Sequence, residues 1–291
     1  MTDQAAAGHA RPGRAGTGSP GRVAVYPRRD TLTMLRRDIK QQLRDKVAVS
    51  AIIGIPVLFL LLFVYVYGGA LKHSVSGVAA QNYVNYVLPG LLIMTAAAQM
   101  IGTSTQASVD MTAGIINRFR TMPIFTPSIL IARVLASVIQ ALISMALVTG
   151  IAFAMGLSPS ATFAGWLALA GFLAYTSFCL CWLALAFGLA AKSVGSASNG
   201  PFPFILLPLV SSGIVRTSTM PAGVRQFAQY QPFTPMVNTV HGLMFGTPVG
   251  TSALTALAWA TGFGVLGVFW SRYAFGRERK SVPTPGFLAQ G

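Results

Sequence analysis

From Val134 to Ala191 the chain has no Asp, Glu, Lys or Arg across 58 consecutive positions, and from Gln226 to Ser271 none across 46. A helix on the surface of a soluble domain keeps charged residues on its outer face, so runs this long cannot face water throughout. They are the length of several crossings of a hydrocarbon layer, each needing roughly 20 apolar residues. The class this dictates is an all-α integral membrane protein. Charged residues make up 9% of the 291 positions, against about a quarter in soluble domains.

Dividing the apolar runs at turn signals gives six expected spans. The first covers about Val47 to Gly69 and the second Tyr83 to Ser108. Gly156-Leu157-Ser158-Pro159 breaks the 58-residue run, leaving a third span near Ser128 to Met155 and a fourth near Phe163 to Ala190. A fifth is expected from Ala197 to Val215 and a sixth from Ser252 to Trp270. Between these last two, Pro221, Pro232 and Pro235 interrupt an apolar stretch, which predicts short re-entrant or interfacial helices over about 216–250.

The ends of the chain differ from its middle. Residues 1–29 are rich in Gly, Ala, Pro and Arg and are expected to be a disordered basic tail, too polar at its start for a signal peptide. Over 30–46, Leu32, Leu35, Ile39 and Leu43 recur at helical spacing among Arg36, Arg37, Lys40, Arg44 and Lys46. That pattern predicts an amphipathic interfacial helix lying on anionic lipid headgroups. The expected organisation is therefore tail, surface helix, a six-span unit over 47–272 and a second tail over 273–291.

Net charge is +15, from 21 Lys and Arg against 6 Asp and Glu. In a soluble protein this would point to nucleic acid, but cytoplasmic loops of membrane proteins also collect Lys and Arg. With both termini in the cytoplasm of a multi-pass cell-membrane protein, eighteen basic residues fall inside and only Lys72, Arg216 and Arg225 outside. Topology accounts for the charge, and no nucleic-acid partner is expected.

Chemistry at a membrane needs paired carboxylates, a metal cluster, or a nucleophile beside a base. Between Asp45 and Glu278 the only acidic residue is Asp110, which excludes a two-carboxylate site in the spans. His73 and His241 have no acidic neighbour in sequence and read as outer-loop residues. Cys179 and Cys181 lie two apart in one span, point in different directions on a helix, and read as packing residues. No metal site and no catalytic residue is expected. None of the five lysines follows glycine, so a phosphate-binding Gly-Lys loop is absent.

The most specific stretch lies between the second and third spans. Asp110, Gly114 and Arg118 are four apart and share one helical face, Phe119 and Arg120 follow, and Pro123 marks a boundary. This predicts a short cytoplasmic helix suited to docking in a groove of a soluble partner. With its surroundings, Asp110-x3-Gly114-x3-Arg118-Phe119-Arg120-Thr121-Met122-Pro123 resembles the signature of type-two ATP-binding-cassette exporter permeases, in particular the daunorubicin-resistance branch. Phe63 to Gly69 is similar to the end of that family's first span. Met220-Pro221 and Gln231-Pro232-Phe233-Thr234, followed by Gly242, Leu243 and Gly246, are similar to its outer segment. One departure is His241, where the family usually has Arg.

The resemblance implies a non-catalytic permease that pairs with a second permease chain, the same or related, and with cytoplasmic ATPase subunits holding ATP and Mg; this chain itself would bind no cofactor. Residues 30–46 would be its connecting helix and 110–123 its coupling helix. It also implies export of a drug or lipid, and so roles in drug resistance, antibiotic efflux or lipid export. The residues themselves offer Thr95, Gln99, Thr103 and Gln106 on one face of the second span, a candidate polar wall of a translocation path or a seam for helix packing. With no charge in the spans, a lipophilic cargo is expected. A structural or assembly membrane protein, or a membrane enzyme, is the rival class that residues alone leave open.

Overall fold

The structure, a computed structural model, describes residues 46–67, 80–112, 127–211 and 222–277, together with Leu35, Arg36, Asp38 and Ile39. The regular elements among them are all helical. Helix α1 (Lys46–Leu61) runs on into a π-helical stretch (Leu62–Tyr67) and is followed by α2 (Ala80–Thr112), α3 (Pro127–Ala154) and α4 (Phe163–Ala190). Two short helices, α5 (Val194–Asn199) and α6 (Phe202–Leu209), precede α7 (Ala222–Tyr230), α8 (Phe233–Phe245) and α9 (Gly250–Arg277). Four stretches are long and apolar enough to cross a membrane: Tyr83–Thr112, Leu130–Ala154, Phe163–Ala190 and Gly250–Ala274. In α1 the described apolar part, Gly54–Val66, is shorter.

The turn expected at Gly156-Pro159 is present, with Gly156 at φ 100°, a conformation glycine adopts without steric cost. Helix α4 then starts where Thr162, in extended backbone, accepts a hydrogen bond from the Gly165 N–H at 3.3 Å. This cap satisfies one of the donors a helix start leaves free. Asn85 of α2 closes the same end of the bundle: its side chain donates to Ser158 Oγ at 3.0 Å and accepts from the Ser158 N–H at 3.2 Å. At the opposite end, Ser104 Oγ donates to the Ala197 carbonyl at 2.7 Å.

Helix α2 lies at the centre, burying Val84, Val87, Leu88, Leu91 and Leu92. It packs against α1, α3, α4, α6 and α8. The most extensive contact of the fold joins α4 to α9. Tyr175 pairs with Thr261, Cys179 with Gly264 and Leu183 with Gly267, so residue numbers rise together and these two helices are parallel. The chain between Ala190 and Gly250 must therefore return along the length of the bundle. The outward face of α9 shows Leu254, Leu266, Phe269 and Tyr273 to its surroundings, as a helix bathed in lipid does.

The expected fifth span, Ala197 to Val215, differs from the structure. Its described part forms α5 and α6, of 6 and 8 residues, separated at Gly200-Pro201. Hydropathy runs evenly through this region, but Pro201, Pro203 and Pro208 remove three backbone donors and disfavour continuous helix. Residues 212–215 lie outside the described residues. In the interrupted segment after it, the described residues from Ala222 form two short helices, α7 and α8. Phe233, at the start of α8, packs on Phe204 and Phe263, halfway along α9. The other end of α8 meets the α3–α4 turn, where Ser160 Oγ donates to the Phe245 carbonyl at 2.7 Å. Helix α8 is thus a half-length helix inserted in the bundle, capped by Gly246 at φ 65°.

Candidate functional site: a charged clamp and a polar seam

The second span, expected to end near Ser108, continues as α2 to Thr112, so Asp110 belongs to its last turn. It is 7% exposed and its carboxylate accepts from Arg133 Nη2. Gly114, Arg118, Phe119, Arg120 and Pro123 lie outside the described residues.

Arg133 enters the topology count as an ordinary loop charge, yet it sits six residues into α3, about 9 Å along the helix at 1.5 Å per residue. It is 4% exposed. Its Nε lies 3.6 Å from Asp38 Oδ2. Asp38, also buried, stands in the segment expected to be the surface helix; Leu35, Arg36, Asp38 and Ile39 are helical, with Arg36 exposed. One guanidinium thus joins carboxylates 95 positions before it and 23 before it in the chain. Taking Arg133 out of the loop tally leaves seventeen basic residues on the side expected to be inner, against three on the other. Burying an ion costs several kcal/mol unless it is paired; here both carboxylates sit against one base, and arginine's several N–H donors suit such sharing.

Sequence reasoning passed over Asp38 and Arg133. The available signal was Arg133 at the edge of the 58-residue uncharged run, six residues inside a helix, where an ionisable group calls for a partner. Its partners, far off in sequence, gave no local pattern.

The polar face of α2 is inside the bundle. Thr95 Oγ1 donates to the Leu91 carbonyl at 2.8 Å, and Thr103 Oγ1 to the Gln99 carbonyl at 3.0 Å. Thr103 also lies 3.8 Å from Cys181 Sγ. Gln99 Nε2 donates across to Gln140 Oε1 of α3 at 2.9 Å. Thr95, Gln99 and Thr103 are buried and Gln106 is half-buried. In this conformation the face is a seam: each of the two threonines satisfies itself on its own helix, and Gln99 bridges to Gln140 of the neighbouring helix. Buried Ser and Thr hydroxyls without a hydrogen-bond partner, at Thr105, Ser108, Thr176 and Ser177, lie on α2 and α4.

Cys179 and Cys181 are both buried, with Gly264 of α9 packed on Cys179. His241 is on helix α8 rather than in a loop; its ring lies 4.9 Å from that of Phe245. Partial burial lowers its pKa below the usual histidine value by penalising the imidazolium. His73 lies outside the described residues.

A helical bundle with long uncharged spans, an inserted half-helix and neutral polar seams is a multi-pass membrane protein. Over residues 29–245 the chain matches the ABC-2 type transporter family, and it belongs to that family. It is 27% identical over 219 residues to the daunorubicin resistance ABC transporter permease protein DrrB1 of Streptomyces coeruleorubidus, covering 75% of each chain. To the probable doxorubicin resistance ABC transporter permease protein DrrC of Mycobacterium tuberculosis it is 24% identical over 251 residues, 81% of this chain and 84% of that one. The protein is accordingly the transmembrane permease subunit of an ABC exporter, non-catalytic itself, with ATP hydrolysis on a separate ATP-binding subunit.

Proposed function

We propose that this permease moves a lipophilic drug-like molecule or a lipid out of the cytoplasm or the inner leaflet. The observation that carries the reading is the charge distribution: among described buried side chains the only ions are Arg133, Asp110 and Asp38, held together at one end of the bundle. The other described buried side chains are apolar or neutral polar, so a cargo inside the bundle finds no other group to neutralise an ionic substituent. Thr95, Gln99, Thr103 and Gln106 are the polar face offered to it when α2 and α3 separate. The names of the two relatives, which refer to daunorubicin and doxorubicin resistance, favour a drug-like cargo over a sugar polymer.

The working assembly in this reading has two permease chains and two cytoplasmic ATPase subunits that hold ATP and Mg. Residues 110–123 are the docking segment, with Arg118, Phe119 and Arg120 toward the ATPase, Gly114 and Pro123 shaping the loop, and Asp110 anchoring it from within. The chain crosses six times, by α1, α2, α3, α4, the broken α5–α6 segment and α9; the parallel packing of α4 and α9 supports the fifth crossing. Both termini are cytoplasmic, α7 and α8 belong to the outer side, and the segment before α1 lies on the lipid surface.

Two measurements test this. In the reconstituted complex, lipophilic compounds should stimulate ATP hydrolysis, and Gln99→Leu should change which compounds do so. Stimulation by charged oligosaccharides alone would overturn the cargo assignment. Reversing Arg118 and Arg120 to Glu should weaken ATPase docking, since opposing a close interfacial charge can cost about 2–5 kcal/mol; a complex that survives both reversals with unchanged coupled hydrolysis would remove the docking assignment.

A further inference from the structure

Of the clamp, the docking reading above uses Asp110 alone; Arg133 and Asp38 have no part in ATPase docking or cargo binding. Residues 113–126, which lie outside the described residues, connect the end of α2 to the start of α3. Asp110 is two residues from the end of α2, and Arg133 is six residues past the start of α3 at Pro127. The two are bonded to each other, so both roots of the segment are tied at one point. The same guanidinium reaches Asp38 at 3.6 Å, which adds the helical segment preceding α1 to the junction. All three side chains are buried. Ion pairs so placed are rigid because separating them strands a charge away from water.

We propose that Arg133 is a positioning residue for energy coupling: it makes the docking segment, α3 and the helix bearing Asp38 move as one body when the ATPase displaces that segment. This rests on the docking of 110–123 proposed above. Arginine is required because two different nitrogens meet the two carboxylates, whereas a lysine ammonium is a single point of charge. The tie to Asp38 gives the surface helix a part in the stroke that membrane anchoring alone does not.

The test uses the intact permease–ATPase complex in nanodiscs, with a neutral lipophilic fluorophore as probe. Spin labels at Arg36→Cys and Thr112→Cys, both exposed positions, report the distance between the surface helix and the end of α2, with and without a non-hydrolysable ATP analogue. In the wild type that distance should stay fixed. Asp38→Ala should let it change with nucleotide and lower probe-stimulated hydrolysis by about fivefold, the size of effect seen for residues along coupling networks, while basal hydrolysis and co-purification are unchanged. Arg133→Lys should fall between wild type and Arg133→Gln in stimulation. A fixed distance and full stimulation in Asp38→Ala would overturn the proposal. So would loss of the complex together with stimulation, since that marks a merely structural tie. Failure of the docking reading is read separately, by a complex that survives the Arg118 and Arg120 reversals.

Discussion

Replacing Gly267 with alanine should push α9 away from α4. A Cβ there would stand 2.4 Å from the Leu183 nitrogen and 2.5 Å from the Trp182 carbonyl carbon, about 1 Å inside the ~3.5 Å at which heavy atoms pack without repulsion. Both obstacles are backbone atoms, which cannot swing aside as a side-chain tip can. The helices must part as bodies, and the displacement falls on the most extensive interface of the fold. Membrane helices depend on such close small-residue contacts because lipid supplies no hydrophobic drive between them. Overpacking of this kind costs about 1–3 kcal/mol, offset by up to about 1 kcal/mol for the better helix propensity of alanine. The net expectation for Gly267→Ala is about 0–2 kcal/mol of destabilisation, and more for Gly267→Leu. Gly262, on the same helix, is the control: a Cβ added there would meet nothing within 4 Å, so Gly262→Ala should be neutral or slightly stabilising. Thermal unfolding of the purified permease in one detergent reads both. Equal stability of the two alanine variants would refute the packing geometry.

Other outcomes follow from the same physical reasoning. Gln99→Leu and Gln140→Leu should each destabilise by about 1 kcal/mol, because each leaves one amide unpaired in the bundle, and the double variant should recover part of the loss in a double-mutant cycle. His241 has a lowered folded pKa, so the unfolded chain binds more protons in the window just below the ordinary histidine value of about 6.5; stability should fall as pH drops through that window and then level off below the folded pKa. His241→Gln should flatten the slope in unfolding measured across pH. For orientation, a Ser281→Cys probe in a Cys179- and Cys181-free background should resist an impermeant thiol reagent in intact cells; labelling there would invert the topology.

Sequence and structure agree where the physics is local. Phe163 to Ala190 is legible because a glycine turn precedes it, a threonine caps it and apolar residues fill it. The Thr95–Gln99–Thr103 face is legible because a four-residue spacing fixes a helix face. The fifth span is not legible by hydropathy: Phe202, Phe204, Ile205, Leu206 and Leu207 read as a span, while the prolines among them act on backbone hydrogen bonding, which an apolarity average does not register. Arg133 escaped for another reason. Its position in the apolar run marked it as costly, but only tertiary structure brings Asp38 and Asp110 to it, and Gln140 meets Gln99 across a helix boundary in the same way. The resemblance on 110–123 identified the family, whereas most of that stretch lies outside the described residues, so its contacts are read by the docking experiment.

ATP-driven export of a neutral lipophilic cargo through this permease can be observed in inverted membrane vesicles. Uptake of a neutral lipophilic fluorophore is followed with the permease, its ATPase, both, or neither. ATP-dependent accumulation is expected only when both are present, and should be abolished when the ATPase cannot hydrolyse ATP. Equal accumulation in vesicles lacking the permease, or ATP-dependent uptake confined to charged oligosaccharides, would contradict export of such a cargo by this chain.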